Sequence, residues 1–153
     1  NQPEMATRSV YSGFHLTFGY MFFIALAYLF IPELFVLPFA AGADPAGFAE
    51  IYRLTVLLLR FVAIYSVFDT MNLVFASAIK GAGDTRYVMF AIIITSALVL
   101  VMPTYLGVMV MGWGVMASWI NVSAYVIVLS IVFLLRFLGG KWKSMRVIET
   151  PGY

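Results

Sequence analysis

The chain is 153 residues long, with 63% hydrophobic residues, 10% charged residues and a formal net charge of +2. Together with a mean hydropathy of +1.00, these values exclude an ordinary water-soluble domain. The sequence holds no cysteine, so it carries no disulfide framework and no thiolate metal site.

The apolar residues fall into four blocks separated by short loops, the pattern of an all-α polytopic membrane protein. The chain opens Asn1-Gln2-Pro3-Glu4 with neither an initiator methionine nor a signal-peptide pattern, and it reads as part of a longer frame. The first span is expected over residues 12–31, with His15 as its one potentially charged group. Pro32-Glu33 ends it, because proline removes a backbone donor and restricts the residue before it. A loop follows over residues 34–49, punctuated by Pro38, Gly42, Asp44-Pro45 and Gly47. Its apolar half is expected in the membrane interface.

The second span is expected over residues 52–79, long enough to cross with tilt. Gly81 and Gly83 supply permissive backbone where a helix C-cap belongs. The third is expected over residues 87–106, with Asp84 or Thr85 available to cap its start and Pro103 to kink it. Residues 113–137 form the fourth, which Gly139-Gly140 stops. Residues 138–153 are a tail carrying Lys141, Lys143 and Arg146. Trp113, Trp119 and Trp142 suit interface anchoring, Trp119 somewhat deeper.

Basic residues set the orientation. Arg8, Lys80, Arg86, Arg136, Lys141, Lys143 and Arg146 fall on one side, and Arg53 alone on the other, with Glu33, Asp44 and Glu50. By the positive-inside rule the basic side is cytoplasmic, so both ends face the cytosol.

Asp69 is the residue that asks for an explanation. It lies about 15 Å from the basic turn Lys80-Gly81-Ala82-Gly83-Asp84-Thr85-Arg86, near the midplane of a hydrocarbon core about 30 Å thick. An Asp at that depth costs about 2.5–3.5 kcal/mol on insertion scales, which makes function the default reading. Helical spacing puts Leu58, Val62, Tyr65, Asp69, Asn72 and Ala76 on one stripe, aligning a carboxylate, an amide and a phenol. Such a set suits a hard monovalent cation or a proton. The bland alternative, a pair with Arg60, fails on geometry, since nine residues place Arg60 half a turn away and about 13 Å along the axis. A basic residue on another helix remains an alternative partner.

The stretch from Asp69 to Arg86 resembles the tenth helix and following loop of the multidrug and toxin extrusion (MATE) transporters. Those proteins commonly read small-x-Leu-Arg-Gly-x-Gly-Asp-Thr there, and in two branches carry an acidic residue where Asp69 stands, eleven positions before the basic one. Asp44-Pro45 and Gly112-Trp113-Gly114 also resemble the family pattern, and Lys80 stands where arginine is usual. The likeness covers essentially the whole chain, as helices nine to twelve of a twelve-helix, two-bundle transporter. It implies an antiporter in the bacterial inner membrane that rocks between two states, exporting small organic cations in exchange for Na+ or H+. It implies Asp69, with Asn72 and Tyr65 beside it, as cation or proton ligands. The other partners implied are membrane lipids and the remaining helices of the transporter, with no cofactor beyond the coupling ion and no nucleic acid. The family's further acidic residues, in helix one or seven, lie outside these residues.

The remaining candidates have plainer readings. Lys80, Gly81, Gly83, Asp84 and Arg86 form a glycine-rich basic turn, but without Walker spacing or a preceding strand it reads as a cytoplasmic hairpin that touches lipid headgroups. Ser118, Asn121 and Tyr125 share a face, lining a cavity or, on the favoured reading, stitching helices together; Thr95 and Ser96 are read the same way. His15 lacks a second ligand at helical spacing and is expected in an interhelical hydrogen bond. No catalytic triad, HExxH helix or paired carboxylates appear, so an enzyme is the weaker class. A lipid-linked oligosaccharide flippase of the same superfamily would be expected to carry several deep arginines, and only Arg60 is present. A non-transport structural subunit leaves Asp69 unexplained.

Overall fold

The computed structural model describes residues 3–39 and 45–145, all of them helical or in short connections. Asn1, Gln2, Gly42, Asp44 and Arg146 lie outside the described residues. Helix α1 spans Pro3–Phe30, beginning well before the apolar block because Glu4 and Arg8 are tolerated in a helix that emerges from lipid. A single helical turn, α2 (Glu33–Val36), and a 3-10 turn over Leu37–Phe39 follow Pro32. The described first part of the connection, up to Phe39, is thus helical rather than loop.

Helix α3 runs Pro45–Gly81, 37 residues or about 55 Å, and projects beyond the hydrocarbon at one end or both. Pro45 opens it, at a position where the missing N–H has no intrahelical acceptor to lose. Its C-terminus is a Schellman motif: the Gly83 N–H donates to the Lys80 carbonyl at 2.9 Å and the Asp84 N–H to the Ile79 carbonyl at 3.1 Å. Gly83 takes the left-handed conformation this requires, φ +98°. Gly81 belongs to the helix itself, so the two glycines have different jobs.

The third span, Thr85–Val110, is interrupted. It begins as α4 (Thr85–Thr95), widens into π-helix over Ser96–Val101, returns as α5 (Met102–Tyr105), and widens again over Leu106–Val110. Pro103 cannot donate to the carbonyl four residues back and its ring crowds that carbonyl. The Met102 N–H reaches five residues back, to Ala97, instead. Where a single kink was expected, the disturbance is spread over two π-helical stretches. Helix α6 (Val115–Leu138) closes the set, and a 3-10 turn over Lys141–Ser144 follows Gly140. These four long helices are each long and apolar enough to cross a membrane.

Helix α3 is the hub, packing on α1 along one side and on α6 along the other, with α4 against α6. The buried core lies toward the basic end and consists of Phe75, Ala76, Ile79, Val88, Leu129, Phe133, Phe137 and Trp142. Its aromatic rings are in mutual contact: Phe75 meets Phe14 at 5.2 Å and Phe137 at 5.0 Å, and Phe137 stacks on Trp142 at 5.1 Å. Trp142 is 6% exposed and donates its indole N–H to the Phe137 carbonyl at 2.9 Å. It folds back into the helix bundle rather than anchoring at the interface, because the left-handed turn at Gly140 reverses the chain beneath α6.

Candidate ion-binding site

Asp69 sits on α3 twelve residues before Gly81, about 18 Å from the helix end, and is half-buried. Its carboxylate faces a hollow of about 250 Å³ between α1 and α3. Thr17, Tyr20 and Met21 line it from α1, and Ser66, Thr70, Leu73 and Val74 complete it from α3. Asn72 donates from Nδ2 to Asp69 Oδ1 across a long 3.4 Å, a weak bond that leaves most of the carboxylate's acceptor capacity free. Among the described residues, Asp69 is in no ion pair; Arg60 is exposed, and the one ion pair lies elsewhere.

The hydroxyls around Asp69 point their protons away from the hollow. Ser66 donates to the Ala63 carbonyl at 3.2 Å and Thr70 to the Ser66 carbonyl at 3.0 Å. Thr17 Oγ1 lies 2.8 Å from the Gly13 carbonyl oxygen. A hydroxyl whose proton goes to its own helix backbone keeps oxygen lone pairs for a cation. The hollow therefore combines one carboxylate with several neutral oxygens. Among the described residues there is no group of three or more His, Cys, Asp and Glu that could hold a metal ion.

A family model described as MatE matches residues 1–106, more than two thirds of the chain. The chain belongs to the MatE family. It is similar to a protein named "Probable multidrug resistance protein NorM" from Pseudomonas putida, with 27% identity over 132 residues, 86% of this chain and 28% of the relative. A second, of the same name and from Mesorhizobium japonicum, is 29% identical over 139 residues, 89% of this chain and 29% of the relative. The chain thus spans less than a third of the length of these curated relatives. No solved structure matches it. The family and the four apolar helices make this an integral, all-α polytopic membrane protein.

In this MatE chain the stripe drawn from helical spacing divides. Asp69 and Asn72 are hydrogen-bonded, but Tyr65 turns toward α6, its ring 6.4 Å from that of Trp119. Ser66 and Thr70 take Tyr65's place at the hollow. Ser66 was legible, three residues before Asp69; Thr17 and Tyr20, on another helix, carried no sequence signal. The α6 trio also separates. Ser118 faces a second hollow of about 420 Å³ beside the π-helical stretches, Asn121 donates to Thr104 Oγ1 at 3.2 Å, and Tyr125 packs against the buried core.

The basic hairpin holds the main departure from expectation. Asp84 makes no side-chain cap for α4. It is 7% exposed, and its Oδ2 accepts from both Arg136 Nη2 at 2.7 Å and Arg136 Nε at 2.8 Å. The Tyr87 ring lies 4.2 Å from the same guanidinium. The pair joins residues 52 positions apart and ties the α3–α4 turn to the end of α6. Lys80, Gly81 and Arg86 are exposed around it. His15 Nδ1 lies 2.6 Å from the Tyr11 carbonyl of its own helix, so its bond is intrahelical rather than interhelical.

Proposed function

We propose that these residues belong to a secondary antiporter that exports small organic cations in exchange for Na+ or H+, with Asp69 as the coupling-ion carboxylate. The observation that carries this reading is Asp69 itself, set in a 34-residue apolar span and free of any ion pair among the described residues. A carboxylate without an ion-pair partner among the described residues costs several kcal/mol of insertion energy at such a depth. Occupancy by an ion, and then by an organic cation, gives that charge a partner in each half of the cycle. One carboxylate with neutral hydroxyl oxygens matches a monovalent ion's charge, and the multidrug resistance in the names of the two relatives supports the export of organic compounds.

Exchange requires that the ion and the exported cation bind the two conformations unequally, since a ligand with equal affinity for both shifts nothing. A hollow between α1 and α3 meets this requirement, because sliding one helix on the other alters how many oxygens reach the carboxylate. In the twelve-helix arrangement of the family, the four helices described here form part of one of two bundles. The bacterial inner membrane, with both chain ends cytoplasmic, is the location consistent with the basic residues.

The test is Asp69→Asn in the full-length transporter, reconstituted in proteoliposomes with a fluorescent organic cation. Under separately imposed Na+ and H+ gradients, the variant is expected to lose gradient-driven efflux while reaching wild-type protein levels. Efflux equal to wild type under either gradient overturns the role of Asp69.

A further inference from the structure

Ser130 of α6 is fully buried, and its hydroxyl makes a polar contact from α6 to α3. Its Oγ lies 2.6 Å from the carbonyl oxygen of Phe68 on α3 and equally 2.6 Å from that of Val126 on its own helix. The Phe68 carbonyl belongs to the peptide group whose nitrogen is that of Asp69. In a regular helix the same carbonyl also accepts from the backbone N–H of Asn72, whose side chain holds the Asp69 carboxylate. One hydroxyl on α6 thus grips the helical turn that carries both Asp69 and Asn72.

We propose that Ser130 is a positioning residue for Asp69, holding the rotation and height of that turn of α3 so that the carboxylate faces the hollow shared with α1. This rests on the reading of Asp69 as the ion carboxylate. A serine hydroxyl has one proton and two acceptors in reach, so it satisfies either its own helix or its neighbour, and the choice senses the α3–α6 distance. Ser130 has no solvent-accessible surface, so the bond is shielded from competition by water. The nearest other α3–α6 tie toward the far end of the helices is the Tyr65–Trp119 ring contact, which has no comparable directionality. Toward the basic end, the Asp84–Arg136 pair fixes α6 to the hairpin six residues beyond Ser130, and the apolar core of Phe75, Ile79, Leu129 and Phe133 joins α3 to α6 without a directional bond.

Ser123 supplies the internal control. It is buried on the same helix and on the same face, and its hydroxyl donates to the Trp119 carbonyl of α6 itself at 2.8 Å rather than to α3. A purely structural loss of one buried helical hydroxyl is matched by Ser123→Ala; a loss of positioning is not.

The experiment uses the full-length transporter in proteoliposomes, with efflux of a fluorescent organic cation driven by graded NaCl gradients and, separately, graded pH gradients. Ser130→Ala is expected to raise the half-saturating concentration of the driving ion about three- to tenfold, the range for one lost hydrogen bond, with maximal efflux within about twofold of wild type. Ser130→Cys keeps the volume with a weaker donor and is expected to shift the same way, so misfolding of the alanine variant does not decide the matter. Ser130→Thr restores a hydroxyl and is expected to return most of the affinity. Ser123→Ala is expected to leave it unchanged. An unshifted ion dependence in Ser130→Cys, or an equal shift in Ser123→Ala, overturns the proposal. If Asp69→Asn retains gradient-driven efflux, the antiporter reading fails first, so the two failures are told apart.

Discussion

Breaking the ion pair between Asp84 and Arg136 should destabilise the helix assembly, and should do so unequally from its two ends. Removing one partner of a well-buried pair costs about 3–5 kcal/mol, because the other charge is left desolvated. Here the two groups differ in their escape routes: the Asp84 side chain is 7% exposed and Arg136 is 17% exposed. Arginine carries its charge on a long stem and can turn it to water, whereas a short aspartate fixed to the α3–α4 turn cannot. Arg136→Gln therefore strands the carboxylate and also forfeits the stacking on Tyr87, worth about 0.5–1 kcal/mol. A loss of about 3 kcal/mol is expected. Asp84→Asn keeps an acceptor for the guanidinium and is expected to lose about 1–2 kcal/mol. Denaturant titration of the detergent-solubilised full-length protein, followed by tryptophan fluorescence, gives both values and that of the double variant. The double variant should be more stable than the sum of the two losses predicts, by at least about 1 kcal/mol, because it leaves no orphaned charge. Salt between about 50 and 500 mM should barely change the coupling, since a buried pair is poorly screened. Equal single losses, or losses that simply add, refute the account of an enclosed pair.

Three further outcomes follow from the same contacts. Gly83→Ala places a side chain at φ +98° and is expected to destabilise by about 1–2 kcal/mol in the same titration, whereas Gly81→Ala, helical and with open space at its Cβ, should be neutral or stabilising. Trp142→Ala removes a buried ring and its bond to the Phe137 carbonyl, and should cost about 3–5 kcal/mol, with increased proteolysis of the tail as a second readout. The Asn121–Thr104 bond should contribute only about 0.6 kcal/mol in an Asn121→Ala, Thr104→Ala double-mutant cycle, because polar side chains in a bilayer readily find substitutes.

The four long apolar helices were legible in the linear sequence because each depends on local chemistry. Apolar length decides whether a segment can cross, proline and paired glycine decide where it stops, and a charge far from any stop must be deep. Helix ends were less legible, since a membrane helix continues into water without a change in backbone hydrogen bonding. Thus α1 reaches back to Pro3 and α3 to Pro45.

Rotation of each helix about its axis was decided only in three dimensions. Lipid and a neighbouring helix are equally apolar, so alternation of polar and apolar residues does not tell which face meets which. That is why the Tyr65 ring lies beside Trp119 of α6, while Thr17 and Tyr20 line the hollow from α1 unannounced. The same holds for Asp84 and Arg136, each sensible as a cap or a topology signal on its own helix, and paired only because α6 returns beside the hairpin. Hydropathy marked which helices can cross a membrane; packing chose which oxygen atoms lie around the half-buried Asp69 carboxylate.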